Sequence, residues 1–186
     1  MIRAKVLGTG SAVPKRILSN ADLEKLVETS DEWIMSRTGI KERHIVSEGE
    51  HFSDLCTRAA EQALKRAHVK PEEVDMILVG TISGDMPFPA TSCLVQRNLG
   101  ATRAAASDVS AACVGFLYAL HLADGLIQAG KATNVLVIGG EILSRYVDWS
   151  DRNTCVLFGD GAGAVLLQAT RGDHGILGSM SRAGNC

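Results

Sequence analysis

One cysteine, Cys113, has a sequence setting that suits nucleophilic chemistry. It follows residues 108–112, where a predicted strand passes through small residues directly into a long predicted helix. Near a helix N-terminus, unpaired backbone N–H groups and the helix dipole favour the thiolate form of a cysteine. Open α/β sheets also bind ligands at the carboxyl ends of their strands, where this thiol is expected to lie. A small apolar residue packed between helix and sheet would have the same surroundings, and spacing alone leaves both interpretations open.

The other four cysteines, Cys56, Cys93, Cys155 and Cys186, lack this position at the start of a helix. Cys56 and Cys93 fall in predicted amphipathic helices and Cys155 in a strand-like run, so we expect burial rather than reactivity. Cys186 is the last residue and is expected to be exposed. Five cysteines without a CxxC pair also argue against a disulfide framework or a structural zinc site, so no metal is predicted.

A thiolate nucleophile normally works with a base or an electrophilic partner. The five histidines lie in predicted loops, at helix ends or, for His121, within the helix that Cys113 begins. None can be paired with Cys113 by its spacing, and each is expected to be a surface or packing residue. The sequence therefore predicts a nucleophile whose helper is absent from this chain.

Basic residues close to Trp33 form a second candidate site. They are Arg37, Lys41, Arg43 and His44, and Trp33 stands one helical turn before Arg37. A flat aromatic ring beside a guanidinium can hold a purine by stacking while further cations meet phosphate. Arg152 could supply another such cation. Taken alone, the cluster is more simply interpreted as a solvated charged loop.

Two glycine-rich stretches have to be tested as phosphate loops. Gly8-Thr9-Gly10 lacks a third small residue and leads into Pro14, so we interpret it as a turn. Residues 159–164 fit the pattern G-x-G-x-x-A, but a strand rather than a helix is predicted to follow them. Close backbone packing or a tight turn is the better interpretation of these later glycines.

Short apolar runs alternate with longer amphipathic runs along the chain, which indicates an α/β layered sheet with helices on both faces. The predicted strands cover residues 2–9, 74–80, 104–109, 135–138, 161–170 and 175–180. The predicted helices cover residues 31–36, 53–68, 91–98 and 113–129, with a short one after Asn20 as its N-cap. The runs 74–80 and 135–138 are almost continuously apolar, as expected for strands buried on both faces.

Composition restricts the class of protein. The 186 residues are 46% hydrophobic, 22% charged and 4% aromatic, which excludes a disordered or collagen-like chain. The net charge of -2 gives no overall field that favours nucleic acid or an anionic membrane. No apolar stretch approaches the roughly 20 residues of a membrane helix, and Arg3 and Lys5 leave no room for a signal-peptide core. We therefore expect a cytoplasmic protein.

Taken together, these segments resemble 3-oxoacyl-(acyl carrier protein) synthase III, the initiating condensing enzyme of type II fatty acid synthesis in the thiolase superfamily. The matching runs, in the order of the family, are residues 29–34 with 37–40, then 108–113, then Arg152 with 158–163. The resemblance implies a thiolase-like fold and makes residues 1–186 its N-terminal half. The family's catalytic histidine and asparagine lie in the second half, so we expect both to be absent from this chain.

The resemblance also implies roles for individual residues. Cys113 would accept an acyl group, typically acetyl, from acyl-CoA and condense it with malonyl-acyl carrier protein, with no permanently bound cofactor. Trp33, Arg37 and Arg152 would hold coenzyme A, with Trp33 and Arg152 on either side of its adenine. Phe88 would reach across a homodimer interface and bound the acyl pocket of the neighbouring subunit.

Two alternatives stay open at this point. One is another condensing enzyme of the superfamily, such as 3-hydroxy-3-methylglutaryl-CoA synthase or a chalcone-synthase-like enzyme, which the segment from Trp33 to Arg37 disfavours. The other is a non-catalytic half-domain that dimerises or binds a carrier protein. Because the helix that follows Cys113 is apolar on several faces, we also expect the isolated chain to self-associate.

Overall fold

The computed structural model describes residues 2–180. Five strands form its main sheet: β1 (Ile2–Ala12), β4 (Met76–Gly80), β5 (Ala105–Val109), β6 (Asn134–Ile142) and β7 (Asp160–Arg171). Their order across the sheet is β1-β7-β6-β4-β5. β4 is parallel to β5 and β6, whereas β7 is antiparallel to β6 and β1. Two further strands, β2 (Arg16–Ser19) and β3 (Glu42–Ile45), form a small antiparallel sheet.

Helices cover both faces of the main sheet, which confirms the predicted α/β layering. α3 (Phe52–Ala67) and α4 (Thr91–Leu99) pack on one face, and α5 (Gly115–Gln128) packs on the other. Two short helices, α1 (Asn20–Leu23) and α2 (Asp31–Thr38), pack in a smaller cluster around Leu23 and Ile34.

The central strands alternate between the two helical layers. In β4, Ile77 and Val79 pack in the cluster that includes α3, while Leu78 packs in the cluster that includes α5. All three side chains are at most 2% exposed. This alternation explains why the run is almost continuously apolar, because neither of its faces meets water.

The turn predicted at Gly8-Thr9-Gly10 is wrong, because this run lies inside β1 under α3. A Cβ atom at Gly8 would lie 2.1 Å from the carbonyl oxygen of Ala63, and one at Gly10 would lie 2.0 Å from that of Ala59. Because glycine has no side chain, α3 can approach the backbone of β1 directly at these two positions. The close approach involves residues far away in the sequence, so the local pattern does not report it.

Four further local predictions are wrong. Ser19, and not Asn20, is the N-cap of α1, since its hydroxyl accepts the Asp22 N–H at 3.2 Å. Residues 175–180 form an irregular segment, which a hydrogen bond of 2.8 Å from the Ile176 N–H ties to the Ala4 carbonyl. Cys155 lies in turns rather than in a strand. The helix predicted from residue 113 begins at Gly115, after a 3-10 turn.

Candidate functional site

The Cys113 thiol is exposed and lies where the chain passes from β5 into α5. It sits in the 3-10 turn Ala112–Val114, in which the Val114 N–H donates to the Ala111 carbonyl at 3.2 Å. The structure thus places the thiol at the predicted junction of strand and helix. Its chemical role stays a prediction.

The residue before the thiol has an unusual backbone. Ala112 has a φ of 45°, in the left-handed region that side chains with a Cβ atom rarely adopt. This conformation costs about 1–2 kcal/mol for a residue other than glycine. Strain of this kind persists only where the surroundings enforce it, and it is typical of functional sites. The backbone around Cys113 is therefore held in place by its neighbours.

Gly80 at the end of β4 and Gly139 within β6 let the start of α5 approach the sheet. A Cβ atom at Gly80 would lie 2.5 Å from the carbonyl carbon of Gly115, and one at Gly139 would lie 2.8 Å from the Cβ of Phe116. Gly80 and Gly139 are also partners in the β4–β6 register. The absence of side chains at these two glycines lets the first turn of α5 pack directly on the sheet. This packing determines how far Cys113 lies from the ends of the strands.

A cavity of about 520 Å³ opens beside the Cys113 thiol. Its walls come from β1, the end of β4, the start of α5, the end of β6, and β7. The lining residues are Thr9, Gly10, Gly80, Ile82, Ala112, Cys113, Phe116, Gly139, Gly140, Glu141, Leu143, Gly163, Ala164 and Val165. The walls are mostly apolar or backbone, so the cavity suits a small uncharged group such as an acyl chain.

The other cysteines in the described residues have less accessible surroundings. Cys56 and Cys155 are fully buried, as predicted, whereas Cys93 in α4 is half-buried. Burial raises the pKa of the Cys56 thiol well above its usual value, and the nearby Asp85 raises it further. Burial also raises the pKa of Cys155. The prediction for Cys186 lies outside the described residues.

Trp33 stacks with guanidinium groups in this structure. The central carbon of Arg152 lies 4.6 Å from the centre of the Trp33 ring, and that of Arg37 lies 5.6 Å away. Arg152 also donates to the Glu28 carbonyl at 2.9 Å. Arg152, which is distant in the sequence, therefore joins Trp33 and Arg37 of α2 in one cation–π cluster. A planar base entering between Trp33 and Arg152 would have to move the guanidinium off the indole.

The remaining cations of the predicted cluster do not share its environment. Arg43 is only 5% exposed and donates at 2.9 Å to both the Asn20 side chain and the Val156 carbonyl, so a solvated loop is the wrong interpretation for it. The Nδ1 of His44 lies 2.7 Å from the Pro14 carbonyl oxygen. Lys41 is exposed beside β3. Arg43 and His44 thus join the small sheet to its neighbours.

Phe88 is 87% exposed, at the tip of the loop between β4 and α4. This loop is anchored to the sheet and to α3 through carboxylates. Asp85 accepts the Phe52 and Ser53 N–H groups at 2.7 and 2.9 Å, and Asp108 accepts the Thr91 and Ser92 N–H groups at 2.8 Å each. An exposed phenyl ring on an anchored loop is suited to an interface between subunits, and the role of Phe88 there stays a prediction.

The second glycine-rich run is a packing motif. Asp160 at the start of β7 is buried and accepts hydrogen bonds from the Val46 N–H at 2.8 Å and the Ser144 N–H at 2.9 Å. A Cβ atom at Gly140 would lie 2.4 Å from the Gly161 carbonyl oxygen. The run continues as a strand and not as a helix, which agrees with the rejection of a dinucleotide site.

In the part of the chain that the structure describes, no histidine or asparagine lines the cavity. Within residues 2–180, no group of three or more His, Cys, Asp or Glu side chains is placed to hold a metal ion. In the same residues, no helix has the length and apolar character needed to span a membrane.

Comparison with known proteins decides the family resemblance. The family model for 3-oxoacyl-[acyl-carrier-protein (ACP)] synthase III matches residues 107–184, a range that includes Cys113 and Arg152. Beta-ketoacyl-[acyl-carrier-protein] synthase III of Caldanaerobacter subterraneus is 56% identical over 178 residues, which are 96% of this chain and 54% of that protein. The predicted resemblance is confirmed. The chain spans about half the length of the curated relatives it matches.

Solved structures of synthase III and related enzymes share the fold. The crystal structure of 3-oxoacyl-[acyl-carrier-protein] synthase III from Aquifex aeolicus superposes with a TM-score of 0.88 at 55% identity, covering 91% of this chain and 55% of that one. The priming β-ketosynthase of the R1128 polyketide pathway gives a TM-score of 0.87 at 36% identity, covering 90% and 50%. The chain therefore has the thiolase-like fold predicted for it.

Sequence reasoning missed several residues of the site. Gly80 ends β4, and Gly139 follows the apolar run 135–138 within β6. A glycine directly after an apolar run is a signal for close backbone approach that could have been used. Ala112 gave no signal, because its backbone conformation depends on the packed surroundings. Glu141 follows the glycine pair at the end of β6, where a lone carboxylate among apolar residues could have attracted notice.

Proposed function

We propose that the protein is an acyltransferase that condenses acyl-CoA, typically acetyl-CoA, with malonyl-acyl carrier protein to initiate type II fatty acid synthesis. The observation that carries the proposal is the exposed Cys113 thiol on a strained turn, beside a cavity of about 520 Å³. The relatives of 52–56% identity, named beta-ketoacyl-[acyl-carrier-protein] synthase III, support the reaction class.

The proposed reaction begins with transfer of the acyl group. The Cys113 thiolate attacks the thioester carbonyl of acyl-CoA, a new carbon–sulfur bond forms, and coenzyme A leaves as the thiol after taking up a proton. The backbone N–H of Cys113 supplies part of the site for the oxyanion. The acyl chain occupies the apolar cavity, with Phe116 and Leu143 among its walls.

The second step forms the carbon–carbon bond. Malonyl-acyl carrier protein loses CO2, and the resulting carbanion attacks the carbonyl of the Cys113 thioester. The thiolate leaves, and 3-oxoacyl-acyl carrier protein is released. A histidine and an asparagine would stabilise the enolate formed on decarboxylation. In our proposal both residues belong to a second thiolase-like half, so the 186-residue chain is the half that carries the nucleophile.

Coenzyme A is proposed to bind at the cation–π cluster. Its adenine would displace the Arg152 guanidinium and enter between Trp33 and Arg152, replacing one stacked contact with two. Arg37 is exposed next to the same ring and would meet phosphate. The complete enzyme is proposed to be a cytoplasmic homodimer in which Phe88 bounds the acyl pocket of its neighbour.

A product assay tests the proposed function. The complete enzyme, incubated with acetyl-CoA and malonyl-acyl carrier protein, should yield 3-oxobutanoyl-acyl carrier protein by mass spectrometry. Cys113→Ser should abolish the product, whereas Cys93→Ser, a matched control in α4, should retain it. A complete enzyme that forms no product, with Cys113 no more reactive toward iodoacetamide than Cys93, would favour the non-catalytic carrier-binding module instead.

A further inference from the structure

Glu141 joins the end of β6 to the loop that leaves β4. Its carboxylate accepts the N–H groups of Ile82 and Ser83 at 3.1 and 3.0 Å and the Thr81 hydroxyl at 3.0 Å. The Ser83 hydroxyl donates to the same carboxylate and in turn accepts the Ile142 N–H at 2.8 Å. One side chain therefore holds three consecutive residues of the loop.

The register of the sheet explains why the carboxylate is needed there. Gly80 is the last residue of β4 and pairs with Gly139 of β6, so Glu141 lies two residues beyond the last pair of β4 and β6. Glu141 is still within β6, where it pairs with Gly161 of β7. Backbone N–H groups that leave a sheet lose their partners, and leaving them unsatisfied when buried is costly. The oxygen atoms of the Glu141 side chain accept these hydrogen bonds in place of the backbone carbonyls of a neighbouring strand.

The residue held in the middle of this network faces the cavity. Thr81 and Ser83 are 5% and 1% exposed, whereas Ile82 between them is 53% exposed and lines the same cavity as Cys113. Since both of its neighbours are tied to Glu141, the position of the Ile82 side chain relative to the thiol depends on that carboxylate. The same loop continues to Phe88.

We propose that Glu141 is a positioning residue that sets which groups can reach the Cys113 thiol, by fixing Ile82 as one wall of the cavity. The inference rests on the proposed function for its substrate class, an acyl thioester. It assigns no proton transfer to Glu141: the carboxylate acts through the loop. Loss of its accepting capacity should therefore alter the selectivity of the thiol between small and bulky reagents, and not only its overall reactivity.

Thiol alkylation tests this without assuming any acyl transfer. The rate of modification of Cys113 is measured with iodoacetamide and with the bulkier iodoacetanilide, in the wild-type protein and in Glu141→Gln. Glutamine keeps the shape of the side chain but presents an N–H₂ group where a carboxylate oxygen accepted. Glu72→Gln, an exposed position before β4, is the matched control for loss of charge.

We expect the ratio of the two alkylation rates to change at least threefold in Glu141→Gln, in the same direction as in Ile82→Ala, and to stay within twofold in Glu72→Gln. Rates with both reagents that fall by one common factor, or a ratio equal to that of the control, would overturn the proposal. Should Glu141→Gln fail to fold by circular dichroism, Ser83→Ala, which removes a single hydroxyl of the network, decides by the same ratio.

Acylation separates this inference from the proposed function. With acetyl-CoA and hexanoyl-CoA, the ratio of Cys113 acylation rates in the complete enzyme should shift at least threefold in Glu141→Gln. Acylation with an unchanged ratio would leave the function standing and overturn the role of Glu141. A wild-type Cys113 that no acyl-CoA modifies, but whose alkylation ratio still depends on Glu141, would overturn the function and retain the positioning role.

Discussion

The Arg152 side chain lies against Trp33, at the position where the adenine of coenzyme A is proposed to bind. Its guanidinium lies 4.6 Å from the Trp33 ring centre, where adenine is proposed to enter. Replacing Arg152 by alanine removes one of the two planes that would hold the base. Stacking of this kind is worth about 1–2 kcal/mol, so the acyl-CoA KM of the complete enzyme should rise about tenfold.

The KM for malonyl-acyl carrier protein should change less than twofold in the same Arg152→Ala variant. Arg152→Lys is the matched control, because it keeps the charge and loses the planar group. Its acyl-CoA KM should resemble that of the alanine variant if stacking matters. Equal effects of Arg152→Ala on both substrates would instead assign the residue a structural role.

Ala112 presents the opposite situation, a residue whose strain is part of the site. Ala112→Gly should relieve about 1 kcal/mol of left-handed strain, so the urea midpoint should stay the same or rise slightly. The acetylation rate of Cys113 should fall severalfold, because glycine lets the turn sample other conformations. Ala129→Gly, at the right-handed C-cap of α5, should lower stability by about 0.5–1 kcal/mol and leave acetylation unchanged.

At the scale of elements, the contact between β4 and α5 depends on Gly80. Because a Cβ atom there would lie 2.5 Å from the backbone of Gly115, Gly80→Ala should push α5 away from the sheet. Overpacking of this kind costs about 1–3 kcal/mol. We expect this loss in urea unfolding, together with at least a tenfold loss of Cys113 acetylation.

Gly125→Ala provides the comparison for that change. No atom lies within 4 Å of a Cβ added at Gly125, and the residue is exposed within α5. Alanine should therefore stabilise the helix by about 0.5–1 kcal/mol without affecting acetylation. Full acetylation in Gly80→Ala would show that the glycine contact does not control the position of the thiol.

The elements that could be predicted are those with a local signal. The amphipathic period of α3 predicted a helix, and the apolar run of β4 predicted a buried strand. Gly39 and Gly100 marked the ends of α2 and α4. The predictions were wrong where a residue distant in the sequence determines the local structure. The glycines of β1 are explained by α3, and the burial of Arg43 by the carbonyl of Val156.

The candidate site shows the same division. Cys113 was predicted from its position between a strand and a helix, and Trp33 with Arg37 and Arg152 from the pairing of an aromatic ring with cations. The assignment of that cluster to coenzyme A, and the role of Phe88, came from the family resemblance. The contact between Trp33 and Arg152 could not be predicted from their spacing in the sequence, since it depends on how the small sheet packs. Glu141 was missed because its partners belong to another strand's loop, some 60 positions away.

At the scale of the whole molecule, large apolar side chains are left exposed on α5 and beyond it. Val114, Leu117 and Leu122 are 42%, 57% and 53% exposed, and Leu177 and Met180 are 75% and 77% exposed. Soluble proteins rarely leave such a surface bare. The chain alone should therefore sediment as a dimer or larger species at low micromolar concentration.

Two variants identify which surface is used in that association. Replacing both Leu117 and Leu122 by glutamate should restore the monomer if a second copy covers α5. Phe88→Asp should do so if the interface near the β4–α4 loop is used instead. A compact, monodisperse wild-type monomer would contradict the expected association.

Acetylation of Cys113 is the most direct test of the account. The complete enzyme is treated with acetyl-CoA, and its intact mass and its peptides are measured by mass spectrometry. We predict one added acetyl group, located on Cys113, with no addition in Cys113→Ser and an unchanged addition in Cys93→Ser. Acetylation on Cys56 or Cys155, or a gain of mass that persists in Cys113→Ser, would contradict the assignment of Cys113 as the acyl acceptor.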